Sequence, residues 1–113
     1  DPLDYFDLVT ALRHSSLVLT DSGGIQEEAP TFGVPVLVLR DVTERPEGVD
    51  AGVAELVGTD RERILTASRR ALGSTGRGDV SNPYGDGHAG ARIADILMAA
   101  LTGRDRVVED WAG

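Results

Sequence analysis

The chain contains no cysteine among its 113 residues, so disulfides and thiolate metal sites are excluded. Its two histidines, His14 and His88, lie far apart, and a histidine-based metal site within the chain is not expected. Basic residues are outnumbered, 11 against 19 acidic, and the formal charge is −8. A broadly acidic surface disfavours nucleic acid and anionic membranes as partners. A small anionic ligand stays open, because one helix N-terminus and one arginine act locally. Every apolar run is far too short to cross a bilayer. No signal-peptide pattern opens the chain. The lack of cysteine fits a cytoplasmic location. The first residue is Asp1 rather than methionine, and we expect a piece of a longer protein. No repeat or low-complexity tract occurs. What is present, 41% hydrophobic residues, suits one globular domain with a modest core.

Hydrophobic spacing gives the elements. Tyr5, Leu8, Val9 and Leu12 recur at helical intervals, and Asp4 is placed to cap that helix. Leu17 to Thr20 reads as a short strand. A glycine turn and a short helix follow, which Pro30 should end or kink. Val34 to Leu39 is continuously apolar, as a parallel strand buried on both faces tends to be. Pro46 opens a short helix ending at Gly52, and Val53 to Val57 reads as a third strand. Thr59-Asp60-Arg61-Glu62 matches a capping box. It opens a helix carrying Ile64, Leu65, Ala71 and Leu72, stopped by Gly73. Ser74 to Asp86 reads as a glycine-rich loop. Asp86 or Gly87 starts a last helix, with Ala89, Ile93, Ile96, Leu97, Ala100 and Leu101 on its apolar face. The charged stretch from Thr102 onward is assigned no structure. Strands alternating with helices imply right-handed crossovers and a parallel sheet, an α/β fold. The strand at 17–20 would leave an open apolar edge. The chain is therefore expected to need further protein, either a missing half or a second copy.

The block from Asp21 to Pro30 carries the chemistry. Ser22-Gly23-Gly24 follows a strand and opens a helix, where backbone N–H groups and a hydroxyl suit a diphosphate. The same residues also read as a serine cap over a tight turn, and local sequence does not separate the two. The Walker lysine and the dinucleotide glycine spacing are both absent. Glu28 lies six residues after Ser22, within reach of a ribose, whereas Glu27 is expected to face solvent. Both also read as ordinary acidic residues at a helix start. Arg40 to Glu47 follows the second strand, at the end of the sheet where open α/β folds bind ligands. Arg45 precedes Pro46, which pushes its backbone towards an extended form and can aim its guanidinium at a phosphate. The plainer reading is a loop of mutually neutralising charges. Asn82 to Gly87 is dense in turn residues, an ordered loop with a helix cap. His88 reads as structural, and His14, near the end of the first helix, as a surface residue that suits the helix dipole. No Ser/His/Asp arrangement or convincing acid–base pair is present.

Taken together, several blocks resemble the non-hydrolysing UDP-N-acetylglucosamine 2-epimerases. They are Leu19 to Pro30, Gly33 to Asp41, Thr43 to Glu47, Val57 to Asp60 and Asn82 to Gly87, in the order and spacing of that family's C-terminal portion. The resemblance implies two Rossmann-like domains facing across a cleft, the glycosyltransferase-B arrangement. Residues 1–101 would be the last part of the second, UDP-binding domain, and 102–113 a C-terminal tail. The final helix would pack back towards the first domain. The implied reaction is inversion at C2 of UDP-N-acetylglucosamine, by elimination of UDP and its re-addition. No redox cofactor or essential metal is implied.

Carried over residue by residue, Ser22, Gly23 and Gly24 would bind the diphosphate, Glu28 the ribose hydroxyls and Arg45 the anionic part. Leu8 stands where the family commonly has an aromatic residue near the uracil. The proton-transfer residues would lie upstream, so no catalytic residue is assigned within this chain, and the chain alone is expected to be inactive and to bind UDP weakly at best. Competing readings are a hydrolysing 2-epimerase, a glycosyltransferase of the same architecture, and a non-catalytic UDP-binding or oligomerising module.

Overall fold

The computed structural model describes residues 2–74 and 81–111. The backbone gathers into two compact units, Asp1–Asn82 and Pro83–Gly113. Much of the loop expected between Ser74 and Asp86 lies outside the described residues.

The first unit is built on three parallel strands, β1 (Val18–Thr20), β2 (Val36–Val38) and β3 (Ala54–Leu56), in the order β1-β2-β3. Val18 pairs with Val36, and Leu37 with Glu55. Each strand is shorter than the apolar run that predicts it. Hydrogen bonding nonetheless reaches past the assigned ends: Leu39 N donates to Thr20 O at 2.9 Å and Val57 N to Val38 O at 2.9 Å. β2 is central and wholly buried. Successive side chains on a strand point to opposite faces. Val36 and Val38 accordingly join Leu12, Ala29 and Ala54, while Leu37 joins Val57 and Ala67. Helices therefore cover both faces, which is why the run around β2 is apolar without alternation.

The helices are α1 (Tyr5–His14), α2 (Gly23–Glu28), α3 (Pro46–Asp50) and α4 (Arg61–Gly73). Asp4 caps α1 as predicted, accepting from Asp7 N at 2.9 Å. Leu12 is buried and Leu8 packs beside it, but Tyr5 is exposed, so the inward stripe is narrower than its spacing suggested. Pro30 does not simply end α2. It starts a 3-10 turn over Ala29–Phe32, closed by Gly33 at φ 64°, a value that favours glycine. The α4 cap falls one residue later than the predicted box. Asp60 accepts from Arg63 N at 2.9 Å, while Glu62 pairs with Arg61. Leu72 is exposed and Ala67 takes the buried place on α4.

The second unit holds α5 (Ala89–Thr102), which starts two or three residues later than expected. Asp86 lies ahead of it, accepting from His88 N at 3.0 Å and from both Arg92 Nη atoms at 2.7 Å. Ile93, Ile96, Leu97 and Leu101 on α5 are exposed. The stretch after α5, assigned no structure from sequence, is ordered around one buried carboxylate. Asp95 accepts from Val107 N at 3.0 Å, Val108 N at 3.1 Å and Arg104 Nη2 at 2.8 Å. Among the described residues, no helix is long and apolar enough to cross a membrane.

The Val108 backbone bond, with further help from Arg104 and Val107, holds the Asp95 carboxyl below its usual range. A depressed folded value means the contribution is present above the unfolded value of about 4 and lost as pH falls through the folded one. Amide protection at Val107 and Val108 should therefore hold from neutral pH to about 4 and fade below it. Asp95→Ala should abolish that protection at neutral pH. Hydrogen exchange reads both, and protection surviving in the variant would show that Asp95 does not anchor this segment.

Candidate functional site

The carboxyl ends of β1 and β2 lie side by side because the strands are parallel neighbours. The loops leaving them therefore meet. From β1 the chain turns at Ser22, the N-cap of α2, with φ −81° and ψ 129°. Ser22 N donates to Thr20 Oγ1 at 3.0 Å, which shapes the turn. The Ser22 side chain makes no capping bond. The plain serine-cap reading thus accounts for the residue's place but leaves its hydroxyl on the exposed side of the turn. The first amides of α2 precede any intrahelical acceptor.

Arg45 reaches this turn from the loop after β2. A methyl built on Gly23 would stand 2.9 Å from Arg45 Cζ and 3.1 Å from Nε, so the guanidinium lies directly over Gly23. Only a residue without a side chain admits that approach. Arg45 has φ −122° and ψ 65°, kept out of the helical region by Pro46 but short of the fully extended form expected. A methyl on Gly24 would lie 3.9 Å from both Ser22 Oγ and Glu28 Oε1. The glycine pair therefore carries a cation over one residue and a hydroxyl and a carboxylate beside the next.

Glu28 is half-buried, and its Oε2 is buried without a hydrogen-bond partner among the described residues. An unpaired buried carboxylate oxygen is costly and asks for donors. Glu27 keeps a side chain 42% exposed, as expected, but it also has a partner that the sequence did not indicate. Its Oε1 accepts from Arg45 Nε at 2.7 Å, and its carbonyl accepts from Asn82 Nδ2 at 3.0 Å. Glu44 lies 3.6 Å from Arg45 Nη1 and 3.4 Å from Arg40 Nη1, so the loop's charges do pair with one another. That pairing coexists with the placement of Arg45 over the turn.

Five of the predicted residues, Ser22, Gly23, Gly24, Glu28 and Arg45, are thus brought together. The sixth, Leu8, packs with the core cluster that contains Leu12 and Ala29. His14 is exposed at the end of α1, its Nδ1 2.8 Å from Thr10 O, and His88 is exposed ahead of α5. Sequence reasoning missed Gln26, Thr43 and Asn82. The available signal for Gln26 was its helical spacing with Ala29, which puts a polar side chain on the buried face.

Anion-seeking amides, a hydroxyl and a guanidinium beside an orphaned carboxylate suit a ligand with phosphate at one end and hydroxyls at the other. A parallel sheet covered by helices on both faces is a Rossmann-like arrangement, and these loops lie at the carboxyl ends of its strands, where such folds bind ligands. The family follows from comparison with known proteins. A family model described as UDP-N-acetylglucosamine 2-epimerase matches residues 1–98, and the chain belongs to that family.

The chain is 52% identical over 101 residues to UDP-N-acetylglucosamine 2-epimerase of Escherichia coli K12, covering 86% of this chain and 27% of that relative. It superimposes on S. aureus MnaA, solved as a co-structure with UDP, at TM-score 0.86 and 42% identity, covering 99% of this chain and 32% of that one. It also matches UDP-GlcNAc 2-epimerase from Methanocaldococcus jannaschii, solved with UDP-GlcNAc and UDP, at TM-score 0.77 and 42% identity, covering 87% and 26%. The chain thus spans 27% of the length of its curated E. coli relative. These neighbours carry the glycosyltransferase-B-like architecture expected from the sequence resemblance.

Proposed function

We propose that this chain is the UDP-holding part of an isomerase that interconverts UDP-N-acetylglucosamine and UDP-N-acetylmannosamine. The observation that carries the reading is the Arg45 guanidinium stacked over Gly23, beside the orphaned Glu28 carboxylate. Ser22, Gly23 and Gly24 take the diphosphate, Arg45 adds positive charge, Glu28 accepts the ribose hydroxyls, and Leu8 lies towards the uracil. Relatives solved with UDP, in the same family and at 42% identity, support the assignment.

In the reaction, UDP leaves the sugar and returns to it. Charge grows on the β-phosphate as the C1–O bond breaks. Fixed donors aimed at that charge lower the barrier and keep UDP in place for re-addition. No acid–base pair for the C2 proton is assigned to this chain, so the chain alone should leave UDP-N-acetylglucosamine unchanged. Conversion seen in its proton NMR spectrum would overturn this. The open side of β1 and the exposed apolar residues of α5 fit a chain that works with further protein or as a homodimer. Sedimentation as a lone monomer with one cooperative unfolding transition would count against that.

Titration with UDP, UMP and uridine tests the binding assignment. Affinity should fall in that order, by roughly tenfold from UDP to uridine. Equal affinity for UDP and uridine would remove the diphosphate from the site.

A further inference from the structure

Gln26 is fully buried, at 0% exposure, in the short helix beneath the glycine turn. A buried amide needs partners at both ends. Its Nε2 donates to the Ser22 carbonyl at 3.2 Å, and its Oε1 accepts from the Thr43 hydroxyl at 2.7 Å. The Thr43 oxygen in turn accepts from the Arg45 backbone N–H at 3.1 Å. Every direction in this series is forced. A carbonyl only accepts, so the Gln26 nitrogen must face Ser22. A backbone N–H only donates, so the Thr43 oxygen accepts from Arg45 and gives its own proton to Gln26. Ser22 and Arg45, 23 positions apart, are thereby joined through two side chains.

We infer that Gln26 and Thr43 are positioning residues that lock the arginine loop to the glycine turn and set where the Arg45 guanidinium stands. The inference rests on the UDP-holding role proposed for this site. Neither side chain is assigned a contact with the ligand. Their effect is to order the Arg45 backbone before the nucleotide arrives. Ordering that loop during binding would otherwise subtract from affinity. The Glu27 carboxylate steadies the far end of the same arginine, at 2.7 Å from Nε. The relay fixes the near end, which Glu27 cannot do.

Thr43 is half-buried and near the surface, so Thr43→Val should leave the fold intact while removing one hydroxyl at nearly constant volume. Thr43→Ser keeps the hydroxyl. Two readouts on the isotope-labelled chain apply. The Arg45 Nε–H resonance reports the order of the arginine without nucleotide, and a UDP titration reports its consequence. In Thr43→Val the Nε–H signal should broaden or exchange away, and UDP affinity should fall by roughly fivefold. Thr43→Ser should retain the signal and stay within about twofold of the parent. An unchanged signal in Thr43→Val would overturn the positioning role. If UDP binding needs Arg45 but ignores the Thr43 hydroxyl, the positioning role fails and the UDP assignment stands. If the signal depends on the hydroxyl but UDP binds none of the forms, the positioning role stands and the UDP assignment fails.

Discussion

Arg45→Ala should weaken UDP binding by roughly 10- to 100-fold while leaving the fold intact. A hydrogen bond to a charged group contributes about 1.5–3 kcal/mol, and each 1.4 kcal/mol is about a tenfold change in affinity. Stability should barely change. The Arg45–Glu27 pair is half exposed, at 34% and 42%, and such pairs are worth about 0–1 kcal/mol. Arg45→Lys should recover only part of the loss, because an ammonium cannot lie flat over Gly23 or present a planar fork to phosphate. Gly23→Ala should reproduce much of the defect without touching the arginine. Its methyl would meet Arg45 Cζ at 2.9 Å, and the flexible guanidinium would be the group to move. Calorimetric UDP titration of the three variants reads this series. Unchanged affinity in Arg45→Ala would take Arg45 out of the site.

Glu28→Met should move stability and binding in opposite directions. The buried Oε2 has no hydrogen-bond partner among the described residues, and an unsatisfied buried group costs about 1–3 kcal/mol. Replacing it with an apolar side chain of similar length removes that cost. A gain of about 1 kcal/mol would raise the unfolding midpoint by roughly 4 °C for a domain of this size. UDP affinity should fall by roughly tenfold, because the ribose hydroxyls lose their acceptor. The parent should bind 2′,3′-dideoxy-UDP more weakly than UDP, and Glu28→Met should bind the two alike. This is the trade between stability and function expected where a site keeps a destabilised group for its ligand. A variant that is more stable and still prefers UDP over the dideoxy form would show that Glu28 does not face the ribose.

The parallel sheet was legible because its apolar runs alternate with helical periods and each is punctuated by glycine or proline. The glycine turn was legible as a place, since Leu17 to Gly24 reads as a strand running into a helix start. What that stretch alone does not encode is the guanidinium of Arg45 over Gly23. That contact, the Glu27–Arg45 pair and the Gln26–Thr43 bond each link residues 17 or more positions apart. They exist because β1 and β2 are neighbours in the sheet, and no local period encodes that. The partner of Glu27 was missed for this reason: helical phase gives its direction but not the arginine it meets. Asp95 was overlooked although a carboxylate between Ala94 and Ile96 in an apolar helix calls for donors. Those donors come from Arg104, Val107 and Val108, in a stretch with no periodicity of its own.

The central claim, that the meeting of the loops after β1 and β2 grips UDP, is tested most directly by mapping amide shifts of the isotope-labelled chain during UDP titration. The account predicts that Ser22, Gly23, Gly24, Glu28 and Arg45 shift together along one binding curve, with the Val107 and Val108 amides unmoved. Shifts that avoid the glycine turn and Arg45, or that cluster elsewhere on the chain, would contradict it.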